Sequence, residues 1–238
     1  MSACLNHRDA RSNRLLVALP DEDYQRLLPN LEFVRLAHGE ILHNSGDQMA
    51  YLYFPTTSIV SLLYTTENGA TAEMGIVGRC GAVGIALFMG GITTPAQAVA
   101  QVAGSAFRIK VKTLQEEFAR GGALQHLLLR YTQSLITQIS QIAVCNRFHT
   151  LDRRLCRWLL FSHDCLMTDE MLLTQENISQ LLGVRREAVT VAAGRLQDAG
   201  LISYVRGHIH VLDRKRLETS SCECYKVVTD EYERLITL

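Results

Sequence analysis

The spacing of apolar positions along the chain changes character partway, and the change predicts two kinds of architecture. From Phe33 to Lys112, short runs of alternating apolar and polar residues (FVRL, YLYF, SIVSLLY, SAFRIKV) are separated by the turn formers HG, SGD, ENG and GG. Period-two alternation bounded by such residues predicts antiparallel strands, here assembled as a β-roll or jelly-roll-like domain. Ahead of it, Leu15 to Leu28 carries a helical stripe broken at Pro20, which predicts a short covering helix. Seven glycines fall within the 23 residues from Gly69 to Gly91. That density predicts tight turns or a close approach to the backbone, a ligand being one candidate.

Beyond Lys112 the period becomes three to four. Thr113, with Glu116 three residues on, reads as a capping box for a short helix that Gly121 and Gly122 end. Ala123 to Phe148 contains neither proline nor glycine, and Leu124, Leu128, Tyr131, Leu135, Ile139 and Ile142 form one stripe along it. At about 1.5 Å per residue this helix spans roughly 39 Å, more than a small β domain covers. The stripe is therefore expected to be a dimer seam of coiled-coil type, the competing reading being a helix packed along its own domain. A further helix, starting near Thr150, places Leu151, Leu155, Trp158 and Leu159 on one face and Arg153, Arg154 and Arg157 on the other.

Residues 173 to 202, LTQENISQLLGVRREAVTVAAGRLQDAGLI, hold two short amphipathic helices that pivot on Gly183 and stop at Gly200. Thr174 is a candidate N-cap, with Glu176 well placed in the first turn, and Ile178, Leu181 and Leu182 point inward. Ser179 is small where a second helix must cross, and Val184 pins the turn. At 100° per residue the second helix buries Ala188, Val189, Ala192, Leu196 and Ala199. Its other side presents Arg186, Glu187, Thr190, Val191 and Gly194, with Arg195 and Gln197 at the margins. Gly194 costs about 1 kcal/mol relative to alanine in a helix, which suggests that something approaches the backbone there. ISYV and HIHVL then alternate about Arg206 and Gly207, predicting a β-hairpin wing. His208 and His210 share a face of that wing, but with no third ligand in view they read as solvent-facing side chains.

Composition places the chain among ordinary globular proteins, 47% hydrophobic and 20% charged. Its longest apolar stretch, Ala82 to Ile92, is far short of the roughly 20 residues of a spanning helix. The N-terminus MSACLNHRDARSNR lacks the apolar core of a secretory signal, so a loose cytoplasmic tail and a cytoplasmic, soluble protein are expected. Net charge is zero, yet Cys145 to Arg216 carries 11 Lys+Arg against 8 Asp+Glu while the remainder carries 13 against 16. A basic C-terminal segment on an acidic remainder suits a polyanionic partner. The seven cysteines, at positions 4, 80, 145, 156, 165, 222 and 224, read as reduced thiols. Cys222 and Cys224 form a lone C-x-C without a second ligand pair, so no metal site is expected.

The stretch LTQENISQLLGVRREAV followed by RLQDAGLI resembles the Crp/Fnr family of bacterial transcription regulators, in the spacing of Ile178, Ser179, Leu182, Gly183, Val184 and Val189. The resemblance covers most of the chain and implies an α+β fold: an N-terminal β-roll of the cyclic-nucleotide-binding type, a long dimerisation helix and a C-terminal winged helix-turn-helix. With the tail and the changes of pattern read above, the chain divides into a flexible tail at 1–14, the β-roll with flanking helices at 15–122, the dimerisation helix at 123–148 and the DNA-binding domain at 149–238. Val184 to Ala199 would contain the recognition helix, lying in the major groove. Arg186 and Glu187 match the family's Arg-Glu pair: a guanidinium can take guanine O6 and N7, and a carboxylate can accept from cytosine N4. Val191 stands where a second arginine can occur, and can touch only a thymine methyl. Arg185 replaces the usual serine, losing a cap and gaining a possible phosphate contact. The expected DNA-binding set is thus Arg185, Arg186, Glu187, Thr190, Val191, Gly194, Arg195 and Arg206.

The implied partners are double-stranded DNA, a second copy of the chain and, for an activator, RNA polymerase, with no membrane. The effector half departs from the family's nucleotide binders. Gly81-Ala82-Val83-Gly84 lacks their ribose-binding glutamate, and Thr93-Thr94-Pro95-Ala96 lacks their phosphate-binding arginine. Cyclic AMP by the usual mode is therefore not expected, and Cys4 alone does not make the clustered cysteines of an iron–sulfur sensor. The effector and any cofactor-binding residues stay unassigned. A second function class is a small-molecule sensor or enzyme whose winged helix binds protein. No phosphate loop, H-E-x-x-H or dinucleotide fingerprint supports catalysis, so no catalytic residue is assigned.

Overall fold

A computed structural model describes residues 9–237. Two short helices, α1 (Arg14–Val17) and α2 (Asp21–Leu27), cover the roll on either side of Pro20. Seven strands follow: β1 (Glu32–Leu36), β2 (Ile41–His43), β3 (Tyr51–Pro55), β4 (Ile59–Thr65), β5 (Thr71–Val77), β6 (Gln97–Val102) and β7 (Gly104–Lys110). They pair antiparallel in two sheets, β1-β7-β3 and β2-β6-β4-β5. The sequence pattern picked out β1, β3, β4 and β7 but not the other three. In β6 the fully buried residues are Ala98 and Ala100, too small to register as an apolar run, and β5 is interrupted by Gly75.

The helical half begins with α3 (Val111–Ala119), α4 (Ala123–Phe148) and α5 (Leu151–Leu166). Strand β8 (Glu170–Leu172), α6 (Gln175–Leu182), α7 (Arg186–Asp198), β9 (Ile202–Val205), β10 (His208–Val211), α8 (Arg214–Ser220) and α9 (Glu223–Ile236) complete it. The wing has three strands, in the order β8-β10-β9, where the sequence predicted a hairpin. The expected capping box at Thr113 does not form, because α3 starts two residues earlier and Thr113 lies inside it.

Packing corrects or sharpens four other expectations. Residues 1–8 of the expected tail lie outside the described residues, but residues 9–14 belong to the fold. Asn13 is fully buried; it donates to the carbonyls of Pro55 at 2.8 Å and Gly81 at 2.9 Å, while its own oxygen caps α1. The glycine-rich segment turns at Gly69, Gly84 and Gly90, all at positive φ, and is closely approached by helices: a Cβ on Gly78 would stand 2.5 Å from the Cys165 Cβ, and one on Gly81 2.4 Å from the Tyr131 hydroxyl. Gly81 lets Tyr131 donate to the Ala82 carbonyl at 3.0 Å. On α5, only Arg153 is exposed; Arg157 is 3% exposed and Arg154 reaches the Leu182 carbonyl.

The fourth correction concerns the long helix. Within one chain Leu124, Leu128, Tyr131, Leu135 and Ile142 are already 0–4% exposed, so the predicted seam is core. They are buried because α4 lies along the roll, with Gln138 accepting from the Ile76 amide at 2.9 Å, and because α9 packs on α4. Leu235 and Ile236 of α9 join Leu15, Leu52 and Leu128 in one cluster, so α9 is not confined to a DNA-binding domain starting at 149. Nor are the halves separate cores: Ile59 and Ile76 of the roll share a cluster with Trp158, Ile178 and Val189.

Candidate nucleic-acid interface

The helical pair forms for local reasons. Thr174 accepts from the Asn177 amide at 3.1 Å and Asn177 reciprocates toward the Thr174 amide, so the cap is closed from both sides. Gly183 ends α6 at φ 62°, a left-handed conformation costly for any other residue. Val189, Ala192, Ala193 and Leu196 turn α7 into the core formed with α5 and α6. The predicted inward face is thus shifted slightly, gaining Ala193 and losing Ala199, which is exposed.

The other face of α7 carries most of the expected contact set. Arg185 is the N-cap but makes no side-chain cap, and it is exposed along with Arg186, Glu187, Thr190 and Val191. Thr190 donates to the side chain of Gln175 at 2.7 Å, a residue of α6 the sequence did not single out. A Cβ on Gly194 would meet nothing within 4 Å. Arg195, expected in the contact set, is exposed but already engaged within the protein: its guanidinium holds Asp152 of α5 with two hydrogen bonds of 2.7 Å. Arg206 sits at the tip of the wing at φ 51°, beside Gly207. His208 and His210 are exposed, and both face Glu170 of β8.

Across from the start of α7 lies the roll itself. An open cleft of about 1050 Å³ separates Arg185, Arg186 and Glu187 from His38, Ile41 and Gln97, while a Cβ added to Gly183 would stand 3.8 Å from the Ala72 Cβ. Next to this contact Glu73 of β5 is buried and accepts from the Trp158 indole at 2.9 Å and from Ser61. Burial pushes the Glu73 carboxyl up to about 7, although both hydrogen bonds and the nearby Arg157 favour its charged form.

Two cavities lie behind this surface. One, of about 120 Å³, sits between the roll and α4 and is lined mainly by apolar side chains, among them Met49, Leu62, Val83, Leu135 and Ile139. His43 also lines it, its Nδ1 unpaired and its pKa lowered by burial. The other, of about 360 Å³, lies where the roll meets α4, α5 and α9, and its Arg14 and Arg214 are already paired with Glu233 and Asp164. The C-x-C of Cys222 and Cys224 is not isolated, because the fold brings Cys145 and His149 to it.

Residues 33–120 match the cyclic nucleotide-binding domain model, and residues 153–220 match the Crp-like helix-turn-helix domain model. The chain belongs to the Crp/Fnr family. Solved structures with the same fold include FixK2 from Bradyrhizobium japonicum, 17% identical, with a TM-score of 0.69 over 81% of this chain and 98% of that one. TTHB099, a CRP-family transcriptional regulator from Thermus thermophilus, is 18% identical, with a TM-score of 0.66 over 79% and 96%. The c-di-GMP responsive global regulator CLP of Xanthomonas campestris is 16% identical, with a TM-score of 0.62 over 82% and 100%. No curated protein matches the chain in sequence. In this Crp/Fnr chain no helix among the described residues is long and apolar enough to cross a membrane.

Proposed function

We propose that this Crp/Fnr chain is a homodimeric, sequence-specific DNA-binding regulator of transcription. One observation carries the reading: Arg186 and Glu187 stand exposed at the start of a helix whose opposite face is locked into a core. A cation and a carboxylate side by side on a protruding helix suit base edges in a major groove, with Arg185 and Arg206 directed to phosphate. The dimer would form along the side of α4 that one chain leaves uncovered, where Leu129, Ile136 and Val144 are 47%, 54% and 43% exposed and Ala143 lies between them. Two recognition helices so joined read half-sites centred about 34–36 Å apart. As an activator the dimer would also meet RNA polymerase.

Arg185, Arg186 and Glu187 line a cleft whose other wall is His38, Ile41 and Gln97 of the roll, so a duplex that met them in this arrangement would also meet the roll. The docked arrangement is therefore a resting state, and DNA binding requires α5–α8 to swing about the junction at His149. The effector is not cyclic AMP in the family's usual mode: the 120 Å³ cavity falls below the roughly 300 Å³ of small-molecule sites and offers no arginine or glutamate. Calorimetry with cyclic AMP is expected to show no saturable heat; a one-site isotherm lost on mutating the Gly78–Gln101 segment would overturn this.

Selection from a random DNA pool tests the main reading. A palindromic consensus is expected, and Arg186→Ala should weaken binding to it by about 1–3 kcal/mol and relax one position in each half-site. Recovery of no consensus, with retention of a protein partner instead, would favour a winged helix that binds protein.

A further inference from the structure

Four side chains from distant parts of the sequence meet where the long helix ends. Cys145 stands one turn before the end of α4 and His149 is its C-cap; Cys222 is the N-cap of α9 and Cys224 lies in its first turn. Their donor atoms all lie within 4.8 Å of one another. Cys145 Sγ is 3.4 Å from Cys222 Sγ, and Cys224 Sγ is 3.6 Å from His149 Nδ1. The three cysteines are 0%, 5% and 1% exposed.

We propose that Cys145, His149, Cys222 and Cys224 form a mononuclear tetrahedral site for a zinc-class divalent ion. Zinc bonds of about 2.3 Å to sulfur and about 2.0–2.1 Å to nitrogen give tetrahedral edges of about 3.8 Å between sulfurs and about 3.6 Å between sulfur and nitrogen. The two close pairs lie within about 0.4 Å of those edges, so one ion reaches all four donors with side-chain adjustment alone. Thiolate and imidazole donors select zinc over magnesium or calcium, and four protein ligands close the coordination sphere as structural sites do. An iron–sulfur cluster needs its thiolates spread around several irons, and this set is too tight for that.

The surroundings support the same ion. His149 offers Nδ1 to the thiols while its Nε2 lies 3.2 Å from a Glu223 carboxylate oxygen, the carboxylate–histidine pairing that fixes a ligand's tautomer. Cys222 and Cys224, at the N-terminus of the 14-residue α9, are held against the end of α4 by the packing of the two helices. The ion ties α9 to the junction between α4 and α5, about which the DNA-binding half must turn.

The test uses the full chain. Plasma mass spectrometry after gel filtration is expected to find about one zinc per chain, and extended X-ray absorption to find three sulfurs and one nitrogen. Cobalt loading should give intense tetrahedral d–d and sulfur-to-cobalt bands, lost in Cys222→Ser and weakened in His149→Ala but unchanged in Cys80→Ser. Glu223→Gln, which keeps every ligand, should weaken zinc binding about 10–100-fold. The absorption spectrum of the unaltered zinc protein keeps the proposal testable if ligand variants do not fold. Zinc far below one equivalent, a six-coordinate cobalt spectrum, acid-labile sulfide, or a Cys145–Cys222 disulfide in freshly isolated protein would overturn it.

Discussion

Gly194 shows how a single residue can be chosen against stability. It lies inside a 13-residue helix, is half-buried, and has open space where a Cβ would stand. Gly194→Ala should therefore raise the stability of the free protein by about 1 kcal/mol, seen in urea titration. If the DNA backbone approaches there, the same change should weaken operator binding; unaltered affinity would leave the glycine without a functional reason. The exposed residues of α7 were legible in the sequence because helical periodicity is local. The pairing of Arg195 was not, since its partner Asp152 lies 43 positions away on another helix. Nothing in the spacing of either residue announces that pair.

Among the elements, α4 carries apolar side chains around most of its circumference, Leu127, Leu128 and Leu129 in succession. Its length and ends could be read from the sequence, but which side meets the roll could not, because that depends on where β5 and α9 fall. The structure gives Leu135 to the core and Ile136 to solvent. Ile136→Glu should dissociate the dimer with the circular dichroism of the folded protein preserved, whereas Leu135→Glu buries a charge and should unfold the chain. Sedimentation equilibrium separates the two, and a dimer that survives Ile136→Glu would place the seam elsewhere. The Cys/His cluster was hidden for the same kind of reason. The C-x-C was visible, as was the four-residue spacing of Cys145 and His149, but only the return of α9 to the end of α4 joins them.

For the whole molecule, the contact between the roll and the DNA-binding half is tuned by a proton. Docking buries Glu73 against Trp158 and raises its carboxyl from 4.5 to about 7, so the docked form holds a proton that an exposed carboxylate would have released. The advantage of docking is full below about pH 4.5, declines as pH rises through about 7, and is flat above, with a ceiling of about 3 kcal/mol. Small-angle scattering should find a larger radius of gyration at pH 8.5 than at pH 5.5. Glu73→Gln, neutral at both, should abolish the difference; its persistence in that variant would assign the pH response to another group.

The packing of α9 also sets an order of events during synthesis. Leu235 and Ile236 supply part of the core that Leu15, Leu52 and Leu128 begin, yet the ribosome delivers them after the recognition helix and the wing. Domains of most multidomain chains fold in the order they emerge. Here the roll's inner cluster of Leu36, Val60, Val77 and Ala100 needs nothing from α9, but the face shared with α4 stays partly uncovered until the reading head and α9 have left the exit tunnel. The nascent chain is thus most exposed to chaperones and to aggregation while α4 is made and α9 is not.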